Sequence, residues 1–335
     1  MAVKVNFLNL FSGIRAKNSG PFTLLLPFGT NWDKARSRKL GMRGFGMTLN
    51  KPGLTRAAGR RFLAALIFLL FPIALLQAAE KPNLMERWLV NDQLSGRAVD
   101  HSPWQNLLGA YLVARDEGES AFNYAAVTDQ DQEVLSQYII MLGRTDVDRL
   151  NRDEQMAFWI NAYNALVVSI VLEDYPVRSI NDIGGWFFSP GPWKEKRFRV
   201  YLINLSLNDI HHRILRPIWE DLRIHYVLSC GARGCPALAA KPFTGKSIEE
   251  DLAAAETTFI NHGPAIRQIR GTGVTLSRIY DWYGRDFGEQ EEQILAHIKN
   301  RARGDLAVQL APVGKISSYG FDWDLNDAAG QTSDN

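Results

Sequence analysis

The chain has 335 residues, and its pI near 8.5, from 38 Lys and Arg against 36 Asp and Glu, changes meaning once the charge is split along its length. Residues 1–79 carry 12 basic residues and a single acid, Asp33, which leaves 26 basic against 35 acidic residues in 80–335. The bulk of the protein is therefore acidic, and it lacks the basic footprint that nucleic-acid binding needs.

Lys51, Arg56, Arg60 and Arg61 precede an apolar run from Phe62 to Leu76, which ends in Gln77-Ala78-Ala79-Glu80. Positive residues, a short apolar stretch and small residues before a polar start are the order of a secretory signal peptide, expected over 47–79 with a mature start at Glu80. The run falls short of the ~20 residues of a spanning helix, and Pro72 interrupts it. The alternative is that Phe62–Leu76 stays uncleaved as an anchor facing the periplasm. Residues 1–46 are too long for the basic region of a signal peptide. They read as a start placed upstream of Met47, or as an extension. The expected location is periplasmic or secreted, where a disulfide is the default state of two cysteines.

Residues 80–150 read as a helical lead-in. Leu84, Trp88 and Leu89 share a helical face; so do Leu107, Leu108, Tyr111 and Leu112, and Val134, Leu135, Tyr138, Ile139 and Leu142. Asn151 with Glu154 has capping-box character and opens the longest helix, to about Leu172. Tyr175-Pro176 stops it. This helix is apolar nearly all round, so it is expected to be buried. Asn161 and Asn164 interrupt it on neighbouring positions of one side. They either tie down an adjacent loop or line a pocket.

Trp186 and Trp193 bracket an aromatic, Gly- and Pro-rich loop that covers the core or borders a cleft. A strand is expected at Phe198–Ile203, then a helix capped by Ser206 with Asp209. A buried strand follows around His225, and a helix starts at Ser247 with Glu250 and runs to about Asn261. Beyond it come a strand at Val274–Leu276, helices over about Ile279–Phe287 and Glu289–Arg301, and a strand-like piece at Ile316–Trp323. Residues 327–335 read as a disordered tail. The fold class is α+β: a helical N-terminal segment, then a mixed domain over 151–326 with short strands around a long buried helix.

The chemistry concentrates in Ile224–Pro236, which holds His225, Cys230 and Cys235, the last two being the only cysteines. One reading is a thiol hydrolase or transferase with His225 and Cys235 as its pair. On a strand, His225 and Cys230 point to opposite faces, so Cys230 is the poorer partner. The other reading is a non-catalytic exported module that binds an envelope component, with a Cys230–Cys235 disulfide stiffening the loop; Gly231 and Gly234 permit the return. Arg233 either presents a cation to an acidic ligand or is a solvated loop residue. Two sulfurs and His225 make only three ligands, and His211, His212 and His262 read as surface histidines. No metal or other cofactor is expected, and no nucleic-acid partner.

Five stretches together resemble the domain-of-unknown-function family 547: Ala157–Leu166, Tyr175–Ile180, His225–Pro236, Ile279–Phe287 and Phe321–Asn326. The resemblance covers about 150–326. Two positions depart from the family pattern, with His211-His212 in place of Glu-His and Gly234 where Ser is frequent. The resemblance implies a remote likeness to papain-like and transglutaminase-like folds, in which the nucleophilic Cys opens the buried helix. Here that helix contains no Cys.

Overall fold

Asn151 begins the helix against which the rest of the domain packs. Its side-chain oxygen accepts the Glu154 N–H at 2.9 Å, and the helix runs Arg152–Asp174 before Tyr175 and a cis Tyr175–Pro176 bond end it. The computed structural model describes residues 84–115, 119–184 and 191–329. The expectations for 1–46, for the signal peptide, for the start at Glu80 and for Trp186 lie outside those residues.

Every residue from Glu154 to Val168 is buried, polar ones included. Among the described residues this is the one helix long and apolar enough to cross a membrane, and protein covers it on all sides. The capping box is only half made. The Glu154 carboxylate does not return to Asn151 but accepts the N–H groups of Val99 and Gly245 at 2.8 and 2.7 Å. It thereby ties two remote segments to the start of the helix.

The lead-in packs into the same core. Trp88, Trp104, Leu135 and Tyr138 are buried in one cluster with Phe158, Trp159 and Phe198. It is not wholly helical: helices Ser102–Tyr111 and Asp129–Arg144 flank an antiparallel pair, β1 (Leu112–Ala114) and β2 (Ser120–Phe122). The sequence from Asp116 to Asp131 lacks apolar periodicity, so pattern alone missed this strand pair.

β3 (Phe198–Val200) and β4 (Ile203–Leu205) form a second hairpin, with Tyr201 in the left-handed region at φ 53°. The C-terminal part builds a three-stranded sheet. β5 (Ile266–Arg270) runs antiparallel to β6 (Gly273–Ser277), which runs parallel to β7 (Lys315–Gly320). Helices Ile248–Asn261 and Glu291–Arg301 enclose a second core of Phe259, Leu276, Tyr280, Phe287 and Ile298. The class is α+β, with small sheets set around the long buried helix.

Three expectations fail locally. The stretch around His225 is no strand but a 3₁₀ helix, Leu222–Tyr226, capped by Asp221, whose Oδ1 accepts the Arg223 N–H at 2.8 Å. The run Leu222–Tyr226 suits either state by composition, and its partners in the folded chain, together with the Asp221 cap, select the helix. Ser247 does not cap its helix; its hydroxyl donates to Asp251 at 2.7 Å. Asp327 is no tail residue: it is buried, accepts the Tyr175 hydroxyl proton at 2.8 Å and pairs with Phe122 in a β-bridge.

Candidate functional site

The site begins at Ser206. Its side chain accepts the Asp209 N–H while the Asp209 carboxylate accepts the Ser206 N–H at 2.7 Å, a complete capping box. Burial works against the Asp209 charge, but Lys196, Ser206 and Arg213 outweigh it and hold the carboxyl at about 2. The helix continues from Leu207–Asp209 into a π-helical segment, Ile210–Leu215, and returns to α geometry at Arg216–Trp219. π turns are rare and concentrate at functional sites. This one carries His211 and His212.

The two histidines are not surface residues. His211 is buried and His212 half-buried, their rings stacked with centroids 4.2 Å apart. His211 Nε2 lies 3.3 Å from His225 Nδ1, and His225 Nε2 lies 2.7 Å from Asp286 Oδ2. Arg216 grips the same carboxylate with two hydrogen bonds, Nε and Nη2 each at 2.7 Å. Tyr283 is the spacer. Its ring stacks on His225 at 4.1 Å with 10° between planes, and the Arg216 guanidinium lies 5.1 Å over it.

The electrostatics settle the direction of this chain. Burial opposes the Asp286 charge, yet the hydrogen bonds from His225 and Arg216 prevail and keep the carboxyl well below its usual range. Asp286 is therefore ionised and accepts only. Burial lowers His225, although Asp286 pulls the other way, because Arg216 already matches the carboxylate charge. Burial, with His212, His225 and Arg216 nearby, pushes His211 down, and burial with Arg216 brings His212 to about 4. A neutral His225 donates Nε2–H to Asp286, which leaves Nδ1 bare to accept Nε2–H from His211. A neutral His211 then carries its lone pair on Nδ1.

These side chains open on a cleft of about 360 Å³ whose lining includes Tyr163, Trp193, Lys194, Asn208, His211, His212, His225 and both cysteines. Trp282, Tyr283 and Trp323 form its aromatic side, and Phe321 packs on both tryptophans with centroids 4.8 and 4.5 Å away. Cys230 and Cys235 are joined, with Cα atoms 5.7 Å apart. Gly231 takes φ 78°, a conformation that favours glycine. The Cys loop is strapped to the segment after β7: Gly234 and Arg233 donate their N–H groups to the Asp322 and Asp324 carbonyls at 2.9 Å, and Asn326 donates to Gly231 at 2.8 Å. A Cβ on Gly234 would stand 2.8 Å from the Asp322 nitrogen, so this position cannot carry the side chain that the resembled family often has there.

Of the expected site residues, the structure brings His225, Cys230, Cys235 and Trp193 into one cleft. It does not make His225 the partner of Cys235. Both ring nitrogens of His225 are committed to His211 and Asp286, and no described cysteine is free. The argument from strand alternation falls with the strand. Asn161 and Asn164 do not line the cleft. Asn161 exchanges two hydrogen bonds with the Phe243 backbone, at 2.8 and 3.0 Å, and Asn164 bridges the Val227 carbonyl and the Ser229 N–H at 2.9 Å each. Arg233 is neither a solvated loop residue nor a cleft residue; it is half-buried, with its Nε enclosed and unpartnered. Among the described residues no group of three or more His, Cys, Asp or Glu is arranged to hold a metal ion.

Sequence reasoning missed His211, Arg216, Tyr283 and Asp286. Two of them, Tyr283 and Asp286, lie in the Ile279–Phe287 motif, where an acid set among aromatics was the available signal. No curated protein and no solved structure matches the chain. The family described as "Protein of unknown function, DUF547" matches residues 147–260, a stretch that contains the long helix, the π turn, His225 and both cysteines.

Proposed function

We propose that the chain is an exported module that binds a component of the cell envelope in the cleft between the Cys loop and Trp282. The observation that carries this reading is the composition of the cleft. Its volume, about 360 Å³, suits a small ligand or one ring of a larger one. The lining divides between aromatic side chains at Trp193, Trp282 and Trp323 and polar ones, the histidines, Lys194 and Asn208. That division suits a ligand with an apolar ring face and a hydroxylated or charged edge, as envelope saccharides have.

The leader pattern and the joined cysteines support export, because disulfides persist in oxidising compartments. Nothing favours the thiol hydrolase, since both sulfurs are bonded to each other. The test is tryptophan fluorescence of the purified protein titrated with solubilised cell-wall glycan fragments. Saturable binding that falls at least ~10-fold in Trp282→Ala is expected, a loss of about 1.4 kcal/mol. Binding that ignores both Trp282→Ala and Trp323→Ala would remove the cleft from the account.

A further inference from the structure

Within this cleft, Asp286, His225 and His211 form a continuous hydrogen-bonded file that ends at a ring nitrogen. His211 Nδ1 has no hydrogen-bond partner among the described residues, while His211 Nε2 faces His225 Nδ1 at 3.3 Å and His225 Nε2 faces Asp286 at 2.7 Å. A purely structural triad would end in a backbone group or a surface charge. This one ends on the wall of a cleft. We infer that His211 is a general base toward ligand bound in the cleft, positioned by His225 and Asp286, and that the chemistry is hydrolysis of a carboxylic ester. The inference rests on the cleft being a ligand site, as proposed above.

The step balances with water alone. His211 Nδ1 takes a proton from water as the water oxygen bonds to the acyl carbon. The resulting imidazolium is stabilised through His225 by the Asp286 carboxylate. The acyl carbon–oxygen bond to the alcohol then breaks, and the His211 proton passes to the departing alkoxide. The products are the acid and the alcohol. An ester suits a lone imidazole because alkoxide is a far better leaving group than the amide nitrogen. Lys194 and Asn208 also line the cleft and carry N–H donors of the kind that a developing oxyanion requires.

The groups that face His211 are His212 stacked on it, His225 and Tyr283 against its edge, Tyr163 from the long helix, and Arg216 with Asp286 behind them. Burial, with the neighbouring histidines and Arg216, holds His211 below its ordinary range, so the ring is neutral, with its lone pair available, at pH 7.

The experiment uses the full chain and 4-nitrophenyl acetate, an ester that neutral imidazole can attack without further recognition. Wild type is expected to exceed His211→Gln by ~100-fold, while His262→Gln, an exposed histidine outside the cleft, leaves the rate unchanged. Asp286→Asn is expected to lower the rate and move the acid limb of the pH profile to lower pH, a displacement that a merely structural role would not give. Equal rates in wild type and His211→Gln overturn the proposal. Should His211→Gln fail to fold, ¹⁵N-histidine spectra of the unmodified protein decide. Neutral His211 and His225, each protonated on Nε2, support it, and a proton on His211 Nδ1 overturns it. Loss of glycan binding in Trp282→Ala with ester hydrolysis intact would separate the two claims, since the small ester needs no aromatic wall.

Discussion

Asp286 reaches His225 across 61 residues of sequence, Oδ2 to Nε2 at 2.7 Å, and holds a buried imidazole that would otherwise have no acceptor. The contact joins the second core, through the short helix Gly284–Phe287, to the segment that leads into the Cys loop. It also neutralises Arg216. One carboxylate therefore serves two donors that come from different elements.

Removing its charge is expected to weaken the fold. Asp286→Asn leaves Arg216 and His225 with a neutral acceptor in a half-enclosed setting, at about 2 kcal/mol. That corresponds to a fall of ~4–8 °C in Tm for a domain of this size. Differential scanning calorimetry checks it; an unchanged Tm would mean that Asp286 is solvated in solution.

Stability is expected to fall as pH drops from about 6.5 toward 4. Burial lowers His101, His212 and His297, each to about 4, and lowers His211 and His225 as well. The unfolded chain binds protons on these rings below ~6.5 while the folded chain does not, so their contribution is intact above that pH and is lost as pH falls through the folded values. The lowered carboxyls Asp209 and Asp286 act in the same sense, but at lower pH. Urea unfolding at pH 7.0 and 4.5 should differ by at least ~3 kcal/mol. Equal midpoints would contradict the neutral buried histidines.

Asn161→Leu and Asn164→Leu are each expected to destabilise by roughly 2–4 kcal/mol, because each leaves one backbone N–H and one carbonyl buried without partners. Asn164→Leu should also loosen the Val227–Ser229 segment beside the cleft. Hydrogen exchange at the Ser229 amide reads this directly, and unaltered protection there would refute it.

Thiol titration of native protein should find no free thiol, and two after reduction under denaturing conditions. Cys230→Ser with Cys235→Ser is expected to remain folded and lose less than ~3 kcal/mol, since the bridge closes a short loop that backbone hydrogen bonds to 322–326 also hold. Gly234→Ala should harm the strap at least as visibly, at ~1–3 kcal/mol, because the added carbon meets backbone and not a yielding side chain. An alanine variant as stable as wild type would show that the strap can shift.

Local and periodic features were legible in the sequence. The Arg152–Asp174 helix, its Asn151 cap and its burial follow from an apolar pattern that covers every face of a 3.6-residue period. The joined cysteines follow from an even count with glycines between them. The Ser206–Asp209 box is a signal of four residues, and it formed as expected. Each of these depends on neighbours within a turn or two of chain, where steric and hydrogen-bonding rules act without reference to the rest of the fold.

What only the tertiary structure decided is the chemistry. His211 and His225 are 14 residues apart and Asp286 is 61 further on, so no spacing rule relates them. Strand or 3₁₀ helix around His225 turned on which buried partners awaited it, and that choice determined which face the imidazole presents. His211 became a neutral, buried ring because the π turn and Tyr283 enclose it. Burial, orientation and protonation state are properties of the assembled packing. The sequence by itself named the helix, its cap and the disulfide loop; the contacts across the folded chain made a cleft lined by His211 and His225, with Asp286 behind them.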